Sequence, residues 1–460
     1  MPEPLWTSAE IEAATGGHAF GGRFDATGID IDSREIAGGD IFVALRADRD
    51  GHDYLSAARA RGAAGALVSR VAMPGSGVLV DDTLIGLEKL AVAARERASG
   101  SRRAAVTGSV GKTSVTQLVL SGLKLAGAAH GSVRSFNNHI GVPLTLARMP
   151  KTTARAVFEI GMNHADEIAP LSRLVAPHVV AVTAVESAHA ENFDDGEIGV
   201  ARAKAEIFQG LAPGGVAVLN ADNRWIDLLH AAARQTGAKP LLFGKVAQAD
   251  ARLVSFTPAA SGARVEAQVE GATIRFAVKQ AADHWGPMSL CALLVMRALD
   301  VDMALALSAL ETFEPLEGRG AERTVKGANG VFTVIDESYN ASPVSVAAAL
   351  RALGGRPATK SSGRRIAVLT DMLELDEGER RHAELAAEVD ASGVDLVFCA
   401  GPLMKSLWSE LPAKRQGAWA PDAASLAPEV VAAVRGGDLV MVKGSKASKA
   451  SLVLAALENA

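Results

Sequence analysis

The residues of this sequence whose chemistry is easiest to name lie at 107–114, between a short apolar run and a helical pattern. They are Thr107, Gly108, Ser109, Val110, Gly111, Lys112, Thr113 and Ser114. Glycines allow backbone N–H groups to turn towards phosphate oxygens, a lysine adds a full positive charge, and a threonine hydroxyl suits Mg²⁺. The pattern is shorter than G-x-x-x-x-G-K-[ST], because Val106 stands where the first glycine would be. We predict that this loop binds the phosphates of a nucleotide; the alternative is an ordinary turn.

Polar residues follow other apolar runs, at the ends of predicted strands. Glu159 follows one such run, and Thr183, Glu186 and His189 follow the next. Ligands of open parallel sheets bind where the strands end, and a carboxylate is a hard oxygen ligand for Mg²⁺. We therefore predict that Glu159 binds a metal ion held by the phosphate loop, the alternatives being a helix cap or a surface salt bridge. His189, in a loop, has no special role by default. Lys204, on a helical pattern, is by default a solvated lysine.

The length of the chain and the order of these patterns predict three α/β domains. At 460 residues the chain is too long for one ordinary core. We expect a small N-terminal α/β domain at 1–100 and a central parallel-sheet domain of the P-loop type at 101–315. A C-terminal Rossmann-like α/β domain is expected at 316–460, after a cluster of turn residues.

Single elements are predicted as well. Four apolar runs in the third segment, at 331–335, 366–369, 396–399 and 439–442, alternate with helical stretches and predict a second parallel sheet. One of these helices is expected to begin with Ser342 as its N-cap and Pro343 at its first position. The alternation of apolar residues from 265 to 278 predicts a hairpin, and the Asp32-Ser33-Arg34 group is predicted to form a solvated turn.

Composition indicates a cytoplasmic globular protein. Hydrophobic residues make up 48% of the chain and charged residues 22%. A net charge of −5 gives no general attraction to nucleic acid or anionic lipid. Cys291 and Cys399 lie in mostly apolar stretches, so we expect buried thiols in a reducing compartment. Residues 1–12 do not have the pattern of a signal peptide, and we expect no membrane span.

Taken together, the motifs resemble those of the Mur ligases, the ATP-dependent amide-forming enzymes of peptidoglycan precursor synthesis. The resemblance extends along all three segments. The motifs are Asp32-Ser33-Arg34, Phe42-Val43-Ala44-Leu45, Asp50-Gly51-His52, the loop at 107–114, Asn137-Asn138, Gly141-Val142-Pro143, Glu159-Ile160-Gly161, His189, residues 203–208, Gly318-Arg319-Gly320, and residues 336–343, 371–375 and 443–445.

The resemblance implies roles that the patterns alone cannot assign. It implies that residues 107–114 hold the phosphates of ATP, and that Thr113 and Glu159 bind a first Mg²⁺. It implies a second Mg²⁺ at His189 and Lys204, with Lys204 carbamylated so that this cation becomes an anion. The other implied contacts are Arg319 at the γ-phosphate, Asp336 and Asn340 along the nucleotide, Ser33 and Arg34 at the UDP end of the substrate, and Asn137 and Asn138 at the substrate.

Two details refine what the resemblance implies. The family's H-N-x-x-N adenine motif reads His284-Trp285-Gly286-Pro287-Met288, so only His284 keeps an implied adenine contact. Residues 137–138, 371–375 and 443–445 most resemble the type that joins D-alanyl-D-alanine to UDP-N-acetylmuramoyl-tripeptide. The implied reaction forms ADP and an acyl phosphate, in a protein that we expect to be a monomer. The alternatives are a Mur ligase that adds a single amino acid and a P-loop NTPase switch.

Overall fold

The computed structural model describes residues 3–71, 75–133, 135–186, 190–259, 262–356, 363–373, 375 and 377–459. The chain divides into two compact units. The first unit comprises Met1–Val185, Ala201–Leu242 and Cys291–Ala306, and the second comprises Glu186–Val200, Phe243–Leu290 and Leu307–Ala460. Among the described residues, no helix has the length and apolar character needed to cross a membrane.

The N-terminal segment forms a small α/β layer within the first unit. A five-stranded sheet in the order β2-β7-β6-β5-β4 is parallel except for β2, and β1 pairs with β3. The elements are β1 (Trp6–Thr7), α1 (Ser8–Thr15), β2 (His18–Phe20), β3 (Asp25–Ala26), β4 (Gly28–Asp30), β5 (Asp40–Val43), α2 (Leu55–Ala60), β6 (Gly65–Val68), β7 (Gly77–Leu79) and α3 (Thr83–Arg97).

The central segment supplies the larger sheet of the first unit. Its strands lie in the order β13-β12-β11-β8-β10-β9, and the pairs from β12 to β9 are parallel. The elements are β8 (Arg102–Thr107), α4 (Lys112–Leu125), β9 (Ala129–Gly131), α5 (Gly141–Ala147), β10 (Arg155–Glu159), α6 (Ile168–Val175), β11 (Val179–Val182), α7 (Glu197–Ala205), β12 (Val216–Asn220), α8 (Ile226–Gln235) and β13 (Lys239–Gly244).

In the second unit the end of β13 pairs with an antiparallel meander. It consists of β14 (Ala251–Pro258), β15 (Ala263–Val269) and β16 (Ala272–Val278), and two helices follow, α9 (Trp285–Ala298) and α10 (Met303–Thr312), which continue into the first unit. The pairing of β15 with β16 confirms the predicted hairpin. The alternation of buried and exposed residues along β15 explains why its pattern was readable in the sequence.

The C-terminal segment forms a six-stranded sheet in the order β17-β18-β22-β19-β20-β21, parallel except for the β17–β18 pair. Val440 and Val442 of its central strand belong to one buried cluster, and Leu439 and Met441 belong to another, so both faces are covered. The elements are β17 (Ala321–Gly327), β18 (Gly330–Glu337), α11 (Pro343–Gly354), β19 (Arg365–Thr370), α12 (Gly378–Ser392), β20 (Leu396–Ala400), α13 (Met404–Glu410), β21 (Gln416–Ala420), α14 (Ala423–Ala433), β22 (Leu439–Lys443) and α15 (Ser451–Glu458).

Three successive sheets of five or more strands, besides the β1–β3 pair, lie in the described part of the chain and confirm the α/β fold class with three domains. The boundaries at residues 100 and 315 stay a prediction. The helix cap is confirmed in detail: the Ser342 side chain accepts a hydrogen bond from the Ser345 N–H, and Pro343 occupies the first turn. Cys291 and Cys399 are buried free thiols, as expected.

A buried histidine of α12 holds the 371–373 segment against that helix. The His382 Nε2 atom accepts a hydrogen bond from the Met372 N–H (2.9 Å), and Nδ1–H donates to the Gly378 carbonyl (2.6 Å). This bonding requires a neutral ring, and burial lowers the pKa of His382 from its usual 6.5. Protonation would remove the acceptor for Met372.

We predict that His382→Leu lowers the free energy of unfolding by about 1–3 kcal/mol at pH 7.5, because the buried Met372 N–H loses its acceptor. Because the folded-state pKa is depressed, the unfolded chain binds the extra proton first, so the stabilisation by His382 is lost as the pH falls below 6.5. Urea midpoints should therefore differ more between wild type and variant at pH 7.5 than at pH 5.5. His18→Leu, at an exposed histidine, is the control.

Candidate functional site

The loop at 107–111 joins the end of β8 to the start of α4. Gly111 is the N-cap of α4 with φ +83°, a conformation that favours glycine. At Gly108, with φ +151°, an added Cβ atom would lie 2.0 Å from the Thr183 Oγ1 atom. Val106 is fully buried inside β8, which accounts for the missing first glycine, because that position belongs to the strand.

The residues that follow β11 form hydrogen bonds with this loop. The Thr183 hydroxyl donates to the Val110 carbonyl (2.5 Å), and the Ser109 N–H donates to the Ala184 carbonyl (2.7 Å). The sequence identifies Thr183 only as a polar residue at a strand end. The hydrogen bond from Thr183 to the loop depends on β11 lying directly beside β8, which the sequence pattern does not specify.

Lys112 and Thr113 occupy the first turn of α4. The Lys112 ammonium donates to the Gly108 carbonyl (2.6 Å) and the Ser109 carbonyl (3.3 Å), so its charge lies against the loop. The Thr113 hydroxyl lies 3.3 Å from the Ser135 hydroxyl. The helix N-terminus adds partial positive charge, so this turn is suited to bind anionic oxygens.

Glu159 ends β10, the strand next to β8, and is only 1% exposed. Its Oε1 atom accepts a hydrogen bond from the Asn137 side-chain amide (2.7 Å). Its Oε2 atom is buried and has no hydrogen-bond partner among the described residues. The alternatives of a helix cap and a surface salt bridge are therefore wrong. An unpartnered buried carboxylate oxygen is costly, and a bound cation would compensate it.

Lys204 is the largest departure from the default expectation. Its pattern in the sequence indicated a solvated lysine, but the side chain is 2% exposed. Burial, and then the charge of Lys112, hold the pKa of Lys204 well below 10.5. Lys204 makes no hydrogen bond or ion pair within the described ranges. The Lys204 amine is therefore more easily deprotonated than a solvated lysine.

Other predicted site residues of the first unit have structural partners. The Asn138 side-chain oxygen accepts from the Ile140 and Gly141 N–H groups at the start of α5. The Arg34 side chain is exposed and forms an ion pair with Asp32 (2.6 Å), and its hydrogen bond lowers the pKa of Asp32 to about 2. This geometry confirms the solvated turn, although Ser33 is buried. Substrate contacts of these residues stay a prediction.

In the second unit, Asp336 organises two loops at the end of β18. One carboxylate oxygen accepts from the Gly318 N–H (2.8 Å), and the other accepts from the Ser338 N–H and hydroxyl (3.0 and 2.6 Å). Both oxygens are thus engaged by the protein. The guanidinium of Arg319 stacks over the Tyr339 ring, with 4.3 Å between Cζ and the ring centroid.

Two further predicted residues lie near Lys443 at the end of β22. The Lys443 ammonium donates to the Asn340 carbonyl (3.0 Å) and pairs with Glu337 (3.4 Å). Burial lowers the pKa of His284 from its usual 6.5. The negative charge of Glu337 acts in the opposite direction but does not cancel this shift. His284 is therefore a neutral ring. The nucleotide contacts of His284 and Asn340 stay a prediction.

Within the described ranges, no group of three or more His, Cys, Asp or Glu residues is arranged to hold a metal ion. His189, which belongs to the predicted second Mg²⁺ site, lies outside the described residues. The donor chemistry nevertheless fits a hard cation, because Glu159 presents a buried oxygen without a partner and Thr113 presents a hydroxyl.

Comparisons with known families and proteins agree with the motifs. The Mur ligase middle domain matches residues 106–296, and the Mur ligase glutamate ligase domain matches residues 322–446. The UDP-N-acetylmuramoyl-tripeptide--D-alanyl-D-alanine ligase of Escherichia coli is 31% identical over 86% of this chain and 86% of its own length. The ligases of the same name from Mycobacterium bovis and Rickettsia prowazekii are 32% and 28% identical, and cover 93% and 97% of this chain.

Solved structures extend the likeness to the fold. MurF from Acinetobacter baumannii superposes with a TM-score of 0.85 at 25% identity, and each chain is covered to 99%. MurF ligase from Thermotoga maritima in complex with ADP superposes with a TM-score of 0.76 at 24% identity, over 94% of this chain and 97% of that one, which shows a common fold. The chain belongs to the Mur ligase family, and within it resembles the MurF type.

Proposed function

We propose that this protein joins D-alanyl-D-alanine to UDP-N-acetylmuramoyl-tripeptide, with ATP converted to ADP. The observation that carries the proposal is the buried, unpartnered Glu159 oxygen at the sheet edge where the Lys112 loop begins. The relatives that share this chain's length act, by their names, on these two substrates. The same edge of the sheet then serves phosphoryl transfer.

The reaction needs activation because a carboxylate is a poor electrophile at neutral pH. The carboxylate oxygen of the tripeptide attacks the γ-phosphorus of ATP, the bond from that phosphorus to the β,γ-bridging oxygen breaks, and ADP leaves. The dipeptide amine then attacks the acyl phosphate carbon, loses a proton, and expels inorganic phosphate. Lys112 and the N-terminus of α4 stabilise negative charge while it moves.

Thr113 and Glu159 would hold Mg²⁺, and His189 with Lys204 would belong to a second Mg²⁺ site. A bound Mg²⁺ would supply charge neutralisation between the two anionic reactants. The support for the first site is the Glu159 oxygen that lacks a partner. The support for the second is chemical: a neutral buried amine is the form of lysine that can react further.

We infer that Lys204 is carbamylated. Its neutral nitrogen attacks the carbon of CO₂, a proton leaves, and the product is an anionic carbamate with oxygen donors. The lowered pKa supports this step, because a protonated ammonium has no lone pair for attack. Incubation with ¹³C-bicarbonate should give a carbamate signal by NMR that Lys204→Met abolishes.

We place the enzyme in the cytoplasm as a monomer, where ATP and UDP-linked precursors are available, with domains at 1–100, 101–315 and 316–460. One assay tests the activity: the protein is incubated with Mg²⁺, ATP, UDP-N-acetylmuramoyl-tripeptide and either D-alanyl-D-alanine or single amino acids. ADP and the pentapeptide product should form only with the dipeptide. Product from a single amino acid would indicate the other ligase type, and ADP release without peptide substrate would indicate an NTPase switch.

A further inference from the structure

Two cations of the second unit lie beside the same aromatic ring. The Tyr339 ring centroid is 4.3 Å from the Arg319 guanidinium carbon and 5.9 Å from the Lys446 ammonium nitrogen. Each cation is attracted by the electrons of the ring face, but the two cations repel each other. Within the described ranges no carboxylate pairs with Lys446. A site with this charge pattern is suited to an anion.

The backbone around Arg319 and Tyr339 is fixed. The Tyr339 N–H donates to the Gly318 carbonyl (3.2 Å), and Asp336 binds the Gly318 N–H. Gly318 has φ +71°, and an added Cβ atom would lie 2.7 Å from the Tyr339 Cβ atom. These contacts hold the backbone that carries the Tyr339 ring, and the Arg319 guanidinium stacks over that ring.

The backbone that carries Lys446 is fixed as well, although its side chain is exposed. Lys446 begins a short 3-10 turn after Ser445. The Ser445 hydroxyl accepts from the Leu373 N–H (3.0 Å), and the Ser448 hydroxyl donates to the Ser445 carbonyl (2.6 Å). A hydrogen-bonded turn therefore presents an exposed ammonium towards the Tyr339 ring.

We propose that Lys446 binds an anionic group of a substrate together with Arg319, and that Tyr339 is the residue that positions both cations. This inference rests on the proposed function. The ligand chemistry is that of anionic oxygen atoms, and the reaction offers two sources: a phosphate of ATP or the carboxylate of D-alanyl-D-alanine. An oxygen anion that meets both cations would relieve their repulsion and form charge-assisted hydrogen bonds.

The test compares Lys446→Ala with Lys449→Ala in the full-length protein. Lys449 is an exposed lysine three residues later, so it controls for a general loss of positive charge. Lys446→Ala should raise the KM for one substrate by about tenfold, whereas Lys449→Ala should change it by less than about twofold. A raised KM for ATP, with weaker ADP binding by calorimetry, identifies the phosphate. A raised KM for D-alanyl-D-alanine alone identifies the carboxylate.

Variants at Tyr339 distinguish the contribution of the ring face to substrate binding from that of the hydroxyl. Tyr339→Phe keeps the ring and should retain both KM values, whereas Tyr339→Leu should raise the same KM as Lys446→Ala and also lower kcat. Unchanged KM values in Lys446→Ala, in a preparation whose wild type forms product, would overturn the inference. A wild type that forms no product but binds ADP overturns the proposed function instead, and its ADP affinity still reports on Lys446.

Discussion

Replacing Lys112 with alanine is expected to lower kcat/KM for ligation by at least about a thousandfold. The Lys112 ammonium lies against the Gly108 and Ser109 carbonyls, at the turn where the phosphate chain of ATP is expected. Charge on the transferred phosphoryl group must be neutralised in a site from which water is excluded, so one missing cation has a large effect on the transition state. Product formation under saturating Mg²⁺ measures the loss.

The matched control is Lys124→Ala, at an exposed lysine in the last turn of the same helix. It removes the same charge from α4 without touching the loop, and its kcat/KM should stay within about twofold. Circular dichroism and the urea midpoint should be similar in both variants. Retention of more than a tenth of wild-type activity by Lys112→Ala would contradict the assigned role.

Much of the fold could be predicted from local patterns. The strand, glycine-rich loop and helix at 102–125 follow from residue types over a short stretch, and so does the Ser342 cap, because both are decided by neighbours in the sequence. The central strands of parallel sheets are mostly apolar and easily recognised, as in β11 and in residues 439–442 of β22, which are all buried.

Two strands of the C-terminal sheet were not predicted. β17 carries Glu322, Arg323 and Lys326 among its seven residues, and only Val325 is buried, because the strand lies at the sheet edge. β21 at the opposite edge is five residues long, and only Ala420 is buried. Edge strands are stabilised by pairing with one neighbour rather than by burial, so their sequences carry little of the apolar signal.

The site residues also differ in how far the local sequence determines their contacts. A phosphate loop is recognisable because its contacts are made by consecutive residues, whereas the environments of Glu159 and Asp336 depend on distant partners. Asn137 lies 22 positions from Glu159, and Gly318 lies 18 positions from Asp336. Only the fold decides that one carboxylate keeps an unpartnered oxygen while the other is fully engaged.

Lys204→Met is expected to abolish ligation, by at least about a thousandfold in kcat/KM, without loss of stability. Methionine has a similar length and no charge, so it should fill the buried site of the lysine. Replacing a buried amine that has no described partner removes a desolvation cost, so the free energy of unfolding should stay equal or rise. Lys239→Met, at an exposed lysine, is the control and should keep its activity.

The pH dependence of stability distinguishes a buried amine from a solvated one. Because the folded-state pKa of Lys204 lies well below 10.5, the unfolded chain binds a proton that the folded chain does not, once the pH falls below 10.5. Wild type should therefore lose stability relative to Lys204→Met as the pH is lowered from 10.5, until the depressed pKa is passed. Urea midpoints in carbonate-free buffer at pH 10 and pH 7.5 measure this difference. An equal gap between wild type and variant at both values would mean that the lysine is protonated in the folded protein, and a protonated lysine could neither form a carbamate nor bind Mg²⁺.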